Sequence, residues 1–397
     1  MNKQTVRDIE LKGKRVLIRV DFNVPLDPQT KAISDDSRIR AALPTIKYLI
    51  DKKSKVILCS HLGRPNGKVV EDMRLAPVAK RLSELLKSPV PCTKDCIGPG
   101  VEEAISRMKE GDVLMLENLR FHAEEEKNDP GFAKALARLA DIYVNDAFGT
   151  AHRAHASTAS VTQYLPAVAG FLMEKEIDYL GKALAGAAHP FAAIIGGAKV
   201  SDKMALLENI LGKVDYLLIG GGMCCTFLKA QNYGVGKSQV EEDKLNVARD
   251  LMSKAAKASV ELVLPEDVVV AEKFAGGVPA KTVPVGSIPS DWYVMDIGPK
   301  TVRSFSDRLK KCKTAFWNGT MGVFEYKEFR QGTEGIAKQL ANLKATTITG
   351  GGSTAEAVME LGLDSKMSHV STGGGAALEF LEGKTLPGVA ALLDKKG

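Results

Sequence analysis

Short apolar runs alternate with amphipathic segments along almost the whole chain. In the first half, four runs have the length and the aliphatic or β-branched composition of strands: Val16–Val20, Val56–Cys59, Val113–Leu116 and Ile142–Val144. Between them, four segments carry apolar residues at helical spacing: Ile39–Leu49, Ala76–Leu86, Ala104–Met108 and Phe132–Leu139. This pattern predicts that strands and helices follow one another in turn.

The same alternation resumes in the second half of the chain. Strand-length runs recur there at Phe191–Ile195, Tyr216–Ile219, Glu261–Leu264, Ala315–Trp317 and Thr346–Thr349. Such alternation is typical of parallel sheets covered by helices, with ligands at the carboxyl ends of the strands. The helical pattern Met173–Leu184 lies between the two series. We therefore predict an α/β fold with two Rossmann-like domains, residues 1–172 and 187–382, joined by an interdomain helix over 173–186.

Composition and charge narrow the class of ligand. The 397 residues suffice for about two domains, and 45% hydrophobic and 26% charged residues are ordinary values for globular proteins. No apolar run has the length of a membrane span, and the polar N-terminus is not typical of a signal peptide. The net charge of +6 is modest, with no basic tail or aromatic–basic ladder. We expect a cytoplasmic protein that binds a small anion, and neither nucleic acid nor membranes.

Neither the cysteines nor the histidines follow a metal-binding pattern. The six cysteines are scattered and form no pair of CxxC motifs, so we expect buried thiols without disulfides. His152 and His155 lack the HExxH context and a third ligand. These residues predict no protein-bound metal.

Cationic residues follow the strands of the first series. The group comprises Arg38, His61, Arg64, Arg120 and Arg153. Each residue alone is more often a surface arginine or a capping histidine. Because the carboxyl ends of parallel strands meet at one edge of a sheet, their recurrence there predicts a pocket for a small, highly charged acid.

In the second series, glycines and lysines follow the strands. After Phe191–Ile195 come Gly196 and Gly197, and then a helical pattern that opens with Lys199 and Lys203. Two lysines on one face at a helix N-terminus are unfavourable unless an anion, most plausibly phosphate, binds there. The alternative is two solvated lysines after an ordinary turn. Glycine runs also follow later strands, at 220–222, 350–352 and 373–375.

Two common nucleotide-binding signatures are absent. Gly236-Lys237-Ser238 resembles the end of a Walker A loop, but Gln231 stands where that loop needs glycine. Gly220 and Gly222 would need a third glycine at Cys225 to complete GxGxxG. A P-loop ATPase and a Rossmann dehydrogenase are therefore disfavoured.

Taken together, the motifs closely resemble the phosphoglycerate kinase family over essentially the whole chain. In the first half the matching stretches are Arg19–Pro25, Ser60–Pro65, Glu117–Phe121 and Val144–Ser157. In the second half they are Gly196–Val200, Asp296–Thr301, Trp317–Gly319, Met321–Glu325 and the glycine runs at 350–352 and 373–375. So many motifs in family order are far more specific than a shared fold.

The resemblance implies reversible phosphoryl transfer from 1,3-bisphosphoglycerate to ADP, giving 3-phosphoglycerate and ATP, with Mg²⁺ bound mainly through the nucleotide. It implies that the N-terminal domain holds the phosphoglycerate and that segment 383–397 returns to this domain. The implied substrate-binding residues are Asp21, Asn23, Arg38, His61, Arg64, Arg120 and Arg153. The implied nucleotide-binding residues are Lys199, Lys203, Gly220, Gly221, Asn318, Glu325, Gly350, Gly351, Gly352, Ser353 and Thr354.

Catalysis needs alignment and positive charge rather than a nucleophilic side chain, because the acyl phosphate already has a good leaving group. The candidates for that charge are Arg38 and Lys199, and the resemblance assigns Gly373 and Gly374 to the transition-state anion. We expect a monomer. The alternative is a nucleotide-binding regulator of the same fold with reduced catalysis, which could lose the cationic pocket.

The chain departs from the family pattern at two positions. Thr320 stands beside the nucleoside pocket where the family usually has proline, and Ser353 stands where it usually has an aspartate that contacts magnesium. Ser353 is thus a possible metal ligand. It also precedes the helical pattern Thr354–Leu361, which predicts a helix N-cap.

Overall fold

The computed structural model describes residues 2–395, which form two compact units. The first consists of residues 2–178 and 385–395, and the second of residues 179–384. The helix Phe171–Ala185 contains the boundary between them. Residues 396 and 397 of the segment expected to return to the N-terminal domain lie outside the described part.

The first unit is built on one parallel sheet. Its strands are β1 (Arg15–Val20), β2 (Lys55–Cys59), β3 (Val113–Met115), β4 (Ile142–Asp146) and β5 (Ala167–Ala169). They lie in the order β3-β2-β1-β4-β5, and every neighbouring pair is parallel. β1, at the centre, is buried along almost its whole length, which explains why the run Val16–Val20 is apolar except for Arg19.

Helices connect the strands of this sheet. They are α1 (Ser37–Asp51), α2 (Ala76–Leu86), α3 (Pro99–Ser106), α4 (Ala123–Glu126) and α5 (Pro130–Ala137), followed by α6 (Phe171–Ala185). The prediction of a helix over Ala104–Met108 was wrong in its bounds. Pro99 occupies the first turn of α3 and Gly98, with φ of 99°, precedes it, so the helix begins earlier and ends at Ser106.

The second unit contains a larger parallel sheet and a small antiparallel one. The parallel sheet comprises β6 (Phe191–Ile195), β7 (Tyr216–Ile219), β8 (Glu261–Val263), β12 (Thr314–Asn318), β13 (Thr346–Gly350) and β14 (His369–Val370). Its order is β14-β13-β12-β6-β7-β8. The antiparallel sheet, which we did not predict, has β9 (Asp267–Ala271) between β10 (Lys281–Pro284) and β11 (Tyr293–Ile297).

The remaining helices are α7 (Met204–Leu211), α8 (Cys224–Ala230), α9 (Leu245–Lys257), α10 (Pro299–Leu309), α11 (Gln331–Ala341), α12 (Gly352–Glu360), α13 (Gly375–Leu381) and α14 (Pro387–Ala390). The predicted architecture, parallel sheets flanked by helices, is confirmed. Each parallel sheet has its own buried apolar core, with Trp317 on β12 fully buried in the second. No helix within residues 2–395 is long and apolar enough to cross a membrane.

The C-terminal segment packs in the first unit. The Leu393 N–H donates to the Ala167 carbonyl on β5 at 2.9 Å, and the Gly388 N–H donates to the Ala151 carbonyl at 2.8 Å. The Asn145 Nδ2 atom at the end of β4 donates to the Gly388 carbonyl at 3.2 Å. These bonds fix the segment beside the residues that follow β4.

Candidate active site

In the first unit, the carboxyl ends of β1 to β4 meet at one edge of the sheet. The chain leaves β2 into His61 and β3 into the short 3-10 helix Leu119–Phe121, and Arg153 follows β4 a few residues on. Arg38 comes from the first turn of α1. The sheet order therefore brings together side chains that lie far apart in the sequence.

His61 is buried at this edge and surrounded by arginines. Burial is the main cause that holds its pKa well below the ordinary range, and the charges of Arg19, Arg120, Arg153 and Arg38 add to the effect. The Arg19 Nη2 atom lies 3.1 Å from His61 Nδ1. Because arginine can only donate, Nδ1 accepts and the proton of the neutral ring sits on Nε2. His61 is therefore a neutral donor.

A buried ionic network beneath His61 was missed by the sequence analysis. Arg19 is fully buried on β1 and donates from Nε to Ser157 Oγ at 2.9 Å. Ser157 donates from Oγ to Glu125 Oε1 at 2.5 Å and from its backbone N–H to Oε2 at 2.9 Å. The network holds Arg19 against His61. The one signal in the sequence was an arginine inside an apolar strand run.

Arg120 and Asn23 both hold the loop that follows β2. Arg120 is buried, and its Nη1 donates to the Gly63 carbonyl at 2.9 Å, while Asn23 Oδ1 accepts the Gly63 N–H at 2.8 Å. Burial lowers the pKa of Arg120. Its Nη2 atom is buried without a hydrogen-bond partner among the described residues, so one donor of the fork is available for an anion.

The other predicted substrate residues are more exposed. Arg38 is about one-third exposed and pairs through Nη1 with the Asp21 carboxylate. The Arg153 Nε donates to the Nε2 atom of the adjacent His152 at 3.2 Å. Arg64 is exposed in the loop that follows β2. The structure thus groups His61 with Arg38, Arg120 and Arg153.

In the second unit, glycines let adjacent strand ends approach one another. Gly221, after β7, has φ of +65°, and a Cβ atom there would lie 2.4 Å from the Gly197 nitrogen after β6. Gly319, after β12, has φ of +94°, and a Cβ atom would lie 2.3 Å from the Gly196 carbonyl oxygen. No larger residue fits at either position. The crossing of these loops brings backbone N–H groups to one edge of the sheet.

The two lysines are placed differently from our prediction. Lys199 is exposed in the loop, Lys203 ends the 3-10 helix Ser201–Lys203, and α7 begins only at Met204. They therefore do not share one face of an α-helix. The reason is Glu241, whose Oε2 accepts the Val200 N–H at 2.6 Å and the Ser201 N–H at 3.2 Å. This remote carboxylate fixes the tight turn.

Lys203 connects the lysine loop to the neighbouring strand ends. It is half-buried, and its Nζ donates to Asn318 Oδ1 at the end of β12. Asn318 in turn donates from Nδ2 to the Gly350 carbonyl at 2.8 Å. Burial lowers the pKa of Lys203. Three of the predicted nucleotide residues thus form one hydrogen-bonded group.

A cavity of about 620 Å³ opens beside these loops. Gly221 and Glu325 line it, as does Thr320. Aromatic and apolar side chains of the antiparallel sheet and nearby loops complete its wall, notably Phe274, Tyr293, Met295 and Tyr326. A glycine edge against an aromatic wall suits a flat apolar ring with a phosphate tail. The aromatic wall was missed because its strands were not predicted.

The glycine runs at 350–352 and 373–375 lead into helices α12 and α13. Helix α12 begins at Gly352 with Gly351 as its N-cap, so the prediction of Ser353 as the N-cap was wrong. Ser353 is exposed in the first turn. Thr354 is buried and its Oγ1 accepts the Gly319 N–H at 2.7 Å. Gly374 directly precedes α13, and the Gly373 N–H donates to Ser371 Oγ at 3.1 Å.

A larger hollow, of about 830 Å³, lies in the first unit and is lined by residues from the sequence range 88–114. Its lining includes none of the predicted substrate residues. We place the candidate sites at the strand ends rather than there, because convergent charged and polar groups indicate a site better than volume does.

Comparisons with known proteins show the family to which this chain is similar. The family model described as phosphoglycerate kinase matches residues 6–384. Phosphoglycerate kinase of Moorella thermoacetica is 57% identical over 395 residues, covering 100% of both chains. That of Synechococcus elongatus is 60% identical over 401 residues, covering 99% of this chain and 100% of the relative. The solved phosphoglycerate kinase of Coxiella burnetii superimposes with a TM-score of 0.90 at 42% identity and 98% coverage of both chains. The solved phosphoglycerate kinase of Pyrococcus horikoshii superimposes with a TM-score of 0.85 at 34% identity and 98% coverage of both chains.

Proposed function

The chain belongs to the phosphoglycerate kinase family, and we propose which of its residues carry each part of that activity. The enzyme is a phosphotransferase with a carboxyl group as acceptor, and its co-substrates are ADP and ATP. We assign 3-phosphoglycerate and 1,3-bisphosphoglycerate to the first unit and the nucleotide to the second. The alternative, a regulator with reduced catalysis, is not supported, because the match to kinases extends over the full chain.

The observation that carries the substrate assignment is the group of arginines around neutral His61. Arg38, Arg120 and Arg153 all act on its pKa, together with buried Arg19. Phosphoglycerate combines a phosphate with a carboxylate, and arginine binds both in two-point contacts. We assign His61 Nε2–H, Asn23 and Asp21 to the polar groups of the substrate, and the arginines, Arg64 included, to its charges.

The nucleotide assignment places the base in the cavity and the phosphates at the glycine loops. The base packs against the antiparallel sheet near Thr320 and Glu325, which line the cavity with Gly221. Gly220, Asn318 and Lys203 lie beside it at the strand ends. Backbone N–H groups of 350–354, at the start of α12, face the phosphates.

In the direction of ATP use, a carboxylate oxygen of 3-phosphoglycerate attacks the γ-phosphorus, and the bond from that phosphorus to the β,γ-bridging oxygen breaks to release ADP. The attacking carboxylate carries no proton, so a general base has nothing to remove. The chain supplies alignment and positive charge around the three equatorial oxygens. We assign that charge to Arg38 and Lys199, and we assign the backbone at Gly373 and Gly374 to the same anion.

We propose that Mg²⁺ is held chiefly by the nucleotide phosphates and water. Magnesium prefers oxygen ligands and often takes only one or two from the protein. Between 350 and 354 the side chains offer only the hydroxyls of Ser353 and Thr354, and Thr354 Oγ1 is already engaged. Ser353 can contribute one neutral oxygen. When bound, the ion neutralises charge on the phosphates.

We also propose a location and an assembly state for the enzyme. The ordinary charge balance and the membership of the phosphoglycerate kinase family support a cytoplasmic enzyme. The residues assigned above provide groups for both ligands within one chain, which supports a monomer. We therefore propose a cytoplasmic monomer.

A coupled assay with 3-phosphoglycerate, ATP and Mg²⁺ tests the proposal directly. We expect turnover that requires all three, and an Arg120→Ala variant with a strongly raised KM for 3-phosphoglycerate and an unchanged Kd for ATP. The control is Arg107→Ala. Arg107 is exposed and lines the hollow of about 830 Å³, which contains none of the predicted substrate residues, and it pairs only with Glu103 among the described residues. Folded enzyme without turnover would overturn the activity, and equal effects of Arg120→Ala on both ligands would overturn the division of the sites.

A further inference from the structure

A cluster of metal-ligand side chains lies in the first unit, apart from the residues assigned to substrate. It consists of Asp95, Cys96 and His122, and a carboxylate oxygen, the thiol sulfur and an imidazole nitrogen lie within 4.8 Å of one another. We propose that these three residues form a binding site for a divalent transition metal of the Zn²⁺ type. The proposal does not depend on the kinase activity.

The donor set decides the class of metal. Sulfur, nitrogen and carboxylate oxygen are the ligands of Zn²⁺ and Co²⁺, whereas Mg²⁺ and Ca²⁺ take oxygen alone. Tetrahedral zinc, with ligand distances of about 2.0–2.3 Å, separates its donors by roughly 3.3–3.6 Å. To bring donor atoms that are up to 4.8 Å apart to this separation, the side chains would need to move by about 1 Å or slightly more.

The surroundings hold two ligands in place and leave a side open. His122 Nε2 already lies 2.7 Å from Asp95 Oδ1, so a metal would take the place of the proton between them. The Asp95 carbonyl accepts from Thr93 Oγ1 at 2.6 Å, and its Oδ1 accepts the Cys96 N–H at 2.7 Å. The Asp95 and His122 side chains are about half and one-quarter exposed, which leaves room for water as a fourth ligand.

The third ligand is a buried thiol aimed at the other two. Cys96 is fully buried, and no other residue of the described chain hydrogen-bonds to its sulfur. Burial raises the pKa of this thiol well above its ordinary range. Binding of a metal to this sulfur would replace the thiol proton.

The test is a Co²⁺ and Zn²⁺ titration of the full-length protein after removal of metal with a chelator. Co²⁺ bound to a thiolate gives a sulfur-to-metal absorption band, which reports Cys96 directly. We expect one equivalent of Co²⁺, displacement by Zn²⁺ but not by Mg²⁺, and a higher melting temperature with Zn²⁺. Wild-type protein without the band would overturn the proposal.

The variants are Cys96→Ser, His122→Ala and Asp95→Asn, and the control is Cys92→Ser. Cys92 lies four residues upstream, and its thiol donates to the Thr93 carbonyl at 3.6 Å, outside the cluster. We expect Cys92→Ser to retain the band, Cys96→Ser to lose it, and the two exposed-ligand variants to bind at least tenfold more weakly. If Cys96→Ser does not fold, the Co²⁺ affinities of His122→Ala and Asp95→Asn decide whether the site exists. A band that persists in Cys96→Ser, or unchanged affinity in both other variants, would refute the site.

Discussion

Lys199, to which we assign a catalytic role, makes little contact with the rest of the protein. It is exposed in a loop whose turn is fixed from outside by Glu241, so its ammonium group has no ion pair among the described residues to lose when phosphate arrives. A cation on the transferring phosphoryl group is worth about 10³-fold in rate or more, about 4 kcal/mol. We predict that Lys199→Ala lowers kcat by about that factor.

Nucleotide affinity should change much less, because Lys203 and the glycine loops remain. The measurements are kcat from the coupled assay and Kd for ATP from calorimetry. The matched control is Lys257→Ala, an exposed lysine in the last turn of α9. If kcat of Lys199→Ala stays within tenfold of wild type, another group carries the transition-state charge.

His61 is predicted to remain neutral through the physiological range. Burial and the neighbouring arginines hold its pKa well below 6.5, whereas the unfolded chain takes up a proton near that value. Below pH 6.5 the unfolded chain therefore binds a proton that folded His61 does not, and the free energy of unfolding falls as the pH is lowered. Nitrogen NMR should show a proton on Nε2 from pH 8 to pH 6, with His61→Gln used to assign the signal. A ring that titrates in this range would refute the donor role.

Ser353 tests how the metal is held. An aspartate at this position would add a negative charge near Mg²⁺, whereas serine supplies only a small neutral oxygen in the first turn of α12. We predict that Ser353→Asp needs less Mg²⁺ for half-maximal rate at fixed nucleotide. Ser353→Asn serves as the uncharged control and should behave like wild type. An unchanged or higher requirement in the aspartate variant would place the metal away from residue 353.

At the scale of elements, Asp146 fixes the start of helix α6. Its buried Oδ1 accepts the N–H groups of Leu172 at 2.9 Å and Met173 at 3.3 Å. Gly170 makes this possible, because a Cβ atom there would lie 2.2 Å from the same oxygen. Burial raises the pKa of Asp146 from 3.8 to about 7. Between these values the folded state holds a proton that the unfolded state has released.

The consequence is a loss of stability as the pH rises from about 4 to about 7. The shift of about three pH units corresponds to at most about 4 kcal/mol. We predict that Asp146→Asn, which keeps the acceptor oxygen but cannot titrate, flattens the decline of the urea midpoint between pH 5 and pH 8. We expect Asp296→Asn to flatten the same decline, because burial raises the pKa of Asp296 to about 7 as well. An Asp146→Asn midpoint that declines as steeply as wild type would refute the assignment.

The central strands could be predicted because they are buried on both faces. Phe191–Ile195 and Tyr216–Ile219 have the bounds that their apolar runs indicate. β10 is mostly exposed and ends in proline, so its sequence has no such run. The aromatic wall of the nucleotide cavity went unpredicted because Phe274 and Tyr326 lie in loops, and β11, which holds Tyr293, was not predicted either.

The grouping of His61 and Arg120 at one edge of the sheet could be predicted, because each follows the end of a strand. Positions that depend on remote partners could not. Arg19 is held by Ser157 and Glu125, which lie more than a hundred residues away in the sequence, and the cap from Glu241 delays the start of α7. Local pattern carries no information about such contacts.

At the scale of the whole molecule, the two ligands are assigned to different units, and direct transfer needs the reacting atoms about 3–3.5 Å apart. Under this assignment, the carboxylate and the γ-phosphorus are held by different units. We therefore predict that binding of both ligands makes the molecule more compact than binding of either one, with the residues flanking the predicted interdomain helix 173–186 as hinges.

Small-angle X-ray scattering with 3-phosphoglycerate and a non-hydrolysable ATP analogue measures this change as a smaller radius of gyration. Lys199→Ala separates closure from chemistry, because it should compact like wild type while it turns over slowly. Arg120→Ala should compact only at higher 3-phosphoglycerate concentration, since it loses a substrate contact. Equal radii with no ligand, with each ligand alone and with both would refute closure, and the transfer would then have to proceed without a change in domain arrangement.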